Sequence, residues 1–499
     1  MKNSLKKLYA VLIAVVVCCF FVAGCSKSEQ PPAESPGTAF EPLPASAPMP
    51  KPSAAKVAKP AEVAKPKYVF LFIGDGMSIP QRMVTEQFSK LTRGKGLAIN
   101  NLQCQGVTTT SAADSFITDS AASGTAIACG EKTNNGRIGM DTEGTRRLES
   151  SAEVAKAAGK KVGMVTSVTI NHATPAAFYA HNVSRVNYYQ IGLDLIASGF
   201  DYFGGGGVAQ NNKTDDPMYK GDIYDLAAQA GYIVARNRAE FEAITPGAGK
   251  KVLASGAPNE LPYDIDMGPE DIRLVEFTRQ AIAMLEDGPN GFFLMVEGGL
   301  VDYMCHANDA AATIREVLAL DECVELALDF AEKHPGETLI VVTGDHETGG
   351  MTLGFAGTAY QSFIQNLGAQ TCSQEAMIVK FNALQGKTFE EAKTLITNCS
   401  GLIFDQPDQA KLGNLYLTAN EQAEIQQAFE RQFKDGGNNG HGLTTAVIKM
   451  LDNKSAIGWT SGAHTALPVS TTASGVGAEN FSNVLDNTNI SQRLKELVK

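Results

Sequence analysis

Ser120 lies in Phe116-Ile117-Thr118-Asp119-Ser120-Ala121-Ala122-Ser123-Gly124-Thr125-Ala126, behind an acid and ahead of a run of small residues. The run reads as the opening turns of a helix capped by Asp119 or Thr118. A hydroxyl there sits among free backbone N–H groups at the positive end of the helix dipole. Such an end suits a bound phosphate or a developing oxyanion. Alone, a serine after an aspartate is more often part of a cap than a nucleophile. Residues elsewhere shift that balance. Asp75, Glu297, Asp302, His306, Asp345, His346 and His464 fall at strand ends or in the loops that follow them. Asp302-x-x-x-His306 and Asp345-His346 mix oxygen and imidazole donors, which suits zinc. Asp75, Glu297 and Thr174 offer oxygen only, which suits magnesium. So many acids converging without cations would repel one another strongly. On one face, they favour a multi-metal hydrolytic site that a nucleophilic serine can use.

The elements that must position these residues are legible. Tyr68-Val69-Phe70-Leu71-Phe72-Ile73 is an unbroken apolar run, as expected of a strand buried on both faces. It breaks at Gly74-Asp75-Gly76, which leaves Asp75 at its C-terminal end. Lys161–Thr166 is a second strand and leads to His172 and Thr174, with Arg185 behind. Phe200–Phe203 and the glycines after it read as a strand and turn. The clearest unit runs from Phe292 to His346. A strand Phe292–Val296 ends at Glu297, and Asp302 and His306 follow in a loop. A long helix starts from a cap at Asn308 or Asp309 and continues to about Lys333. A strand Thr338–Val342 then ends in Thr343-Gly344-Asp345-His346. Strand-helix-strand implies parallel strands with a right-handed crossover. Open α/β sheets place their sites at the C-terminal ends of such strands. The fold class is therefore α/β, with a mostly parallel central sheet and helices on both faces. Residues 354–454 read as a helical and loop-rich insertion before His464, with no metal-ligand spacing; His441 reads as a loop residue.

Net charge is −12, and the first 67 residues hold more Lys than Glu, so the folded body is more acidic still. That excludes non-specific nucleic-acid binding. An anionic substrate would need local positive charge from metals or an arginine. Residues 1–25 form an export signal: Lys2, Lys6 and Lys7 precede an apolar stretch, Leu12–Val22, too short for a typical spanning helix. Its end, Val22-Ala23-Gly24-Cys25, resembles a bacterial lipoprotein cleavage box, which implies lipidation at Cys25. Residues 26–66 are rich in Pro, Ala and Lys and form a disordered tether. Residues 67–499 are the catalytic domain. Six cysteines follow the signal, and export permits their oxidation. Cys372 and Cys399 are the favoured pair. Cys305 and Cys323 are separated by helix, some ~25 Å, and should not pair.

In family order, the chain resembles the alkaline phosphatases. The matching stretches are Phe72-Ile73-Gly74-Asp75-Gly76-Met77, Thr118-Asp119-Ser120-Ala121-Ala122, Ala173-Thr174-Pro175-Ala176-Ala177 with Arg185, Glu297-Gly298-Gly299 with Asp302 and His306, Val342-Thr343-Gly344-Asp345-His346, and Gly462-Ala463-His464. The resemblance implies a phosphomonoester hydrolase with two zinc ions and one magnesium. Ser120 would become phosphoserine. Asp75, Asp345 and His346 would hold one zinc, and Asp302, His306 and His464 the other. Thr174 and Glu297, with Asp75 shared, would hold magnesium. Arg185 would grip two phosphoryl oxygens. His172 stands where some members carry an Asp near the magnesium; it either draws the third site towards zinc or loosens magnesium. Tyr303 stands near the phosphate where others carry Lys, His or Trp. Its neutrality places more of the phosphate binding on Arg185. The expected partners are small phosphate monoesters and, through Cys25, a membrane; a homodimer stays open. The expected location is the periplasmic side of a bacterial membrane, and Ser26 favours the outer membrane by analogy with Gram-negative sorting. A phosphodiesterase or sulfatase using the same metals, and a binding module on an enzyme body, are the competing readings. The two-oxygen grip of Arg185 favours a monoester, and no ligand is missing.

Overall fold

The computed structural model describes residues 65–247, 249–355, 357–433 and 441–499. Cys25 and the tether up to residue 64 lie outside the described residues. Among the described residues, no helix is long and apolar enough to cross a membrane.

Ten strands build one sheet. In chain order they are β1 Tyr68–Gly74, β2 Cys104–Thr109, β3 Lys161–Thr166, β4 Tyr202–Gly205, β5 Tyr232–Ala235, β6 Lys251–Ser255, β7 Phe292–Gly298, β8 Thr338–Gly344, β9 Val469–Gly475 and β10 Asn483–Asp486. Across the sheet the order is β10-β2-β9-β8-β1-β7-β3-β4-β6-β5. Every pairing is parallel except those of β9, which runs antiparallel to both neighbours. The sheet is thus mostly parallel, as expected. Its central strands are buried on both faces, and their residues are apolar at all but the terminal positions. Phe70 and Phe72 face one core, with Ile314, Val317 and Leu320 of the Ala310–Lys333 helix. Val69, Leu71 and Ile73 face the other, with Ala121 and Ile127 of the Ser120–Cys129 helix and Leu494 of the C-terminal helix Asn487–Val498.

The register decides where the chemistry falls. β1 lies between β8 and β7, and Gly74 pairs with both Gly344 and Gly298. Asp75 and Asp345, each one residue beyond, emerge side by side. Glu297 pairs with Ile73 and with Thr166 of β3, at the same level of the sheet.

The insertion carries its own apolar core, in which Phe381, Ile396 and Phe429 are buried. Its helices include Gln374–Asn382, Phe389–Ser400, Ala419–Phe433 and His441–Ser455. His441 opens the last of these rather than lying in a loop. The expected Cys372–Cys399 disulfide is absent: all six described cysteines are free thiols. The two segments do meet, since the Thr371 N–H donates to the Cys399 carbonyl at 2.9 Å. Both side chains are buried in the insertion core and hydrogen-bond to each other as thiols, with Lys380 beside Cys372.

Candidate functional site

The Ser120–Cys129 helix is capped by Asp119, whose Oδ1 accepts from the Ala122 N–H at 3.0 Å. Ser120 is therefore the first helical residue, and its hydroxyl sits at the exposed N–H end of the helix. Gly124 lets this helix press against the Ala173–Ala176 turn: a Cβ there would lie 3.2 Å from Thr174 Cα. Gly76 has φ +71°, and a Cβ on it would stand 2.8 Å from Asp302 Cα, so the loop after β1 can close over Asp302 only with glycine.

Ser120 Oγ lies 3.2 Å from His346 Nε2. That same nitrogen is 3.2 Å from Asp75 Oδ1 and 3.3 Å from Asp345 Oδ2. A second group forms from Asp302, His306 and His464. His306 Nε2 is 3.3 Å from Asp302 Oδ2, and the two Nε2 atoms of His306 and His464 are 3.1 Å apart. Asp302 and His306 are not in a loop. They lie four apart on the short helix Leu300–His306, whose pitch puts both on one face. His464 begins a two-residue strand paired antiparallel with Glu347–Thr348, which draws it against His346, ring centroids 3.7 Å apart. A third group comprises Asp75, Glu297 and His172, with Thr174 Oγ1 3.4 Å from Asp75 Oδ2. Among the described residues, these are the groups of three or more acid, His or Cys side chains whose ligand atoms lie within 4.8 Å of one another. Every candidate ligand named from the sequence falls in one of these three groups or, for Thr174, beside Asp75.

The site is dry and strongly acidic. Asp75, Glu297, Asp345 and His346 are all 0 % exposed. Burial, then the fields of Asp345, Asp302 and Glu297, pushes Asp75 well above the usual carboxylate range. Burial raises Glu297 to about 8 and Asp345 to about 6. Burial pushes Asp302 up as well, but hydrogen bonding to His306 and the three neighbouring imidazoles outweigh it and hold the carboxyl low. Burial lowers His346 and His464 to about 4 each, so both are neutral imidazoles near pH 7.

Arg185 brings positive charge to this pocket. It donates through Nη1 to Asp119 Oδ2 at 3.0 Å and through Nη2 to His172 Nε2 at 3.1 Å. Tyr303 points elsewhere. Its hydroxyl donates to Glu260 at 3.4 Å, and its ring stands edge-on to His172.

Comparison with known proteins agrees with this geometry. The sequence model of the family described as "Alkaline phosphatase" matches residues 66–499. The chain belongs to the alkaline phosphatase family. It is 32% identical to alkaline phosphatase 4 of Bacillus subtilis, over 87% of this chain and 89% of that protein. It superposes on the cold-active alkaline phosphatase of a psychrophilic Shewanella with a TM-score of 0.74 and 28% identity, over 87% of this chain and 100% of that one. The Thermus thermophilus alkaline phosphatase gives a TM-score of 0.73, also at 28% identity, over 87% of this chain and 91% of that one.

The residues present fit the divalent cations that the family implies. Asp75 Oδ1 and Glu297 Oε1 are buried carboxylate oxygens without a protein hydrogen-bond partner, and both belong to the third group. His306 Nδ1 and His464 Nδ1 each lie 2.8 Å from a backbone carbonyl, of Gly462 and Thr118. Carbonyls only accept, so each Nδ1 carries a proton, and the neutral imidazole of His464 presents its Nε2 lone pair. That lone pair meets His306 Nε2 at 3.1 Å, beside Asp302 Oδ2 at 3.3 Å from the same nitrogen, so the group is satisfied by a proton on His306 and offers two imidazoles and a carboxylate to a cation that displaces it.

Two polar residues of the site, Thr348 and Ser123, were not singled out by the sequence reading, and a third, Asp119, was read only as a cap. Thr348 donates to Asp302 and contacts His346 Nδ1 at 3.2 Å. Ser123, one turn along from Ser120, donates to Asp345 Oδ2 at 3.0 Å. Asp119 is the cap that was expected, but it also anchors Arg185. Spacing gave one usable signal: Ser123 lies three residues after Ser120, on the same helix face. Glu347, beside His346, is no ligand: it accepts from Gln81, Gly350 and Met351 and holds the turn.

Proposed function

We propose that this family member is a metal-dependent phosphomonoester hydrolase working through a phosphoserine on Ser120, with small phosphate monoesters as substrates. The observation that carries this reading is the meeting of Ser120 Oγ with His346, which is itself packed against Asp75 and Asp345. Zinc held by Asp75, Asp345 and His346, zinc held by Asp302, His306 and His464, and magnesium or zinc held by Asp75, Glu297 and Thr174 beside His172 would lower the pKa of a coordinated hydroxyl and stabilise charge on the entering and leaving oxygens. Ser120 Oγ supplies the entering oxygen: the Oγ–P bond forms as the bond from phosphorus to the substrate alcohol breaks. The alcohol departs as an oxyanion and takes up a proton. Water then attacks phosphorus, the Oγ–P bond breaks, and inorganic phosphate leaves with Ser120 restored. Arg185, fixed by Asp119, retains donors for two phosphoryl oxygens of a monoester. Its planar fork suits that task better than a lysine would.

Hydrolysis of a simple aryl phosphate tests this. Turnover should disappear with chelator and return with zinc plus magnesium, and monoesters should outpace diesters and sulfate esters. Absent turnover, or turnover indifferent to chelator, contradicts it.

A further inference from the structure

The catalytic reading says what happens to the phosphoryl group and leaves the alcohol unassigned. A groove beside the site gives that alcohol a place. It opens at His306, where a cavity of about 320 Å³ is walled by Tyr263, Tyr303 and Glu375. Those three residues also line an adjoining cavity of about 570 Å³, whose far wall adds Glu260 and Asp266. The groove therefore begins at His306, a side chain of the second ligand group. Neither cavity has a lysine or arginine in its lining.

Two of its carboxylates are held in place by phenols. The Tyr263 hydroxyl donates to Glu375 at 3.0 Å and the Tyr303 hydroxyl to Glu260 at 3.4 Å. Asp266 accepts from the Ser373 N–H at 3.0 Å. Each carboxylate keeps free lone pairs for a further donor. Tyrosine rings beside carboxylates match an ammonium group through charge and through the ring face together. An anionic alcohol would meet unpaired like charge there.

We propose that this groove is a leaving-group subsite that selects phosphate monoesters whose alcohol carries a protonated amine. The inference rests on the phosphomonoesterase reading above and adds the substrate class. Glu260 and Glu375 are its specificity determinants, and the tyrosines position them.

Three aryl phosphates of matched size test it: phenyl phosphate, 4-(aminomethyl)phenyl phosphate and 4-carboxyphenyl phosphate. The ratio of kcat/KM for the ammonium substrate to that for phenyl phosphate is expected to fall roughly tenfold in the Glu260→Gln/Glu375→Gln double variant, since each partly exposed charge pair is weak on its own. High salt should shrink the wild-type preference. Glu375→Lys should move the preference towards the carboxylate substrate, a gain that misfolding cannot produce. Unchanged melting temperatures show that the variants fold. A wild-type enzyme that hydrolyses all three alike, or a preference that the substitutions leave in place, overturns the subsite while leaving the phosphatase reading intact. Failure to hydrolyse any of the three removes both.

Discussion

Thr348 links two of the ligand groups. Its hydroxyl gives its proton to Asp302 and so must accept from His346 Nδ1, which leaves His346 Nε2 with a lone pair towards Ser120. One threonine thus fixes the tautomer of one ligand and the orientation of another. Thr348→Val keeps the shape and removes both bonds. Partners that orient metal ligands typically contribute roughly 10–100-fold in metal affinity or activity. Thr348→Val is therefore expected to weaken zinc retention by that order, measured by competition with a chromogenic chelator, with little change in fold. Thr348 was not legible in the sequence because threonine is common in strands and loops, and only the tertiary turn brings it beneath Asp302. The candidate ligands stood out in the sequence because acids and histidines cluster just beyond the ends of apolar strands. The orientation of Tyr303 was not, since nothing in its neighbours Asp302 and Met304 specifies Glu260 as its partner.

The central strands and the long helix could be read because each has one dominant signal. β1, β7 and β8 each hold a run of apolar residues and end in glycine, after Glu297 in β7 and Thr343 in β8. The Ala310–Lys333 helix is capped by Asp309, as the sequence indicated. β2, β9 and β10 are polar and rich in Thr, Ser and Asn, so neither alternation nor a run marks them. The helix carrying Asp302 and His306 is too short to show periodicity. Asp309 does more than cap. It is fully buried and accepts from the Ala312 N–H at 3.0 Å, from Gln370 Nε2 at 2.8 Å and from the Gln374 N–H at 3.0 Å, which joins the long helix to the insertion. Asp309→Ala removes the cap, leaves the Gln374 N–H unpaired and leaves the Gln370 amide with only its bond to the Cys372 carbonyl. The expected loss is about 2–4 kcal/mol, read from the urea midpoint of the metal-loaded protein. A midpoint shift worth under about 0.5 kcal/mol would show that the junction does not stabilise the fold.

Across the whole molecule, the sheet gathers acids from distant parts of the chain into one pocket, and the cost of that convergence depends on pH. Burial lifts Glu297 from 4.5 to about 8 and Asp345 from 3.8 to about 6. Each carboxyl keeps its proton in the metal-free fold at pH values where the unfolded chain has lost it. The stability tied to these protons is thus complete below the unfolded values and is lost as pH rises through the folded ones. Bound cations would compensate the charge that forms. Chelator should therefore lower the melting temperature more at about pH 8.5 than at about pH 5.5, as scanning calorimetry would show. An equal drop at both values contradicts the electrostatic account. At this scale the sequence reading found the α/β layering. It could not show that the insertion folds around its own core or that its thiols form no disulfide, because pairing within an insertion depends on contacts that periodicity does not encode.

The central claim is that Ser120, poised beside His346 at the start of its helix, takes the phosphoryl group. It is tested most directly by incubating the zinc-loaded enzyme with aryl phosphate at mildly acid pH, quenching, and mapping the phosphate by peptide mass spectrometry. The account predicts phosphate on Ser120 and none on the Ser120→Ala protein. Phosphate on another residue, or full turnover in Ser120→Ala, would contradict it.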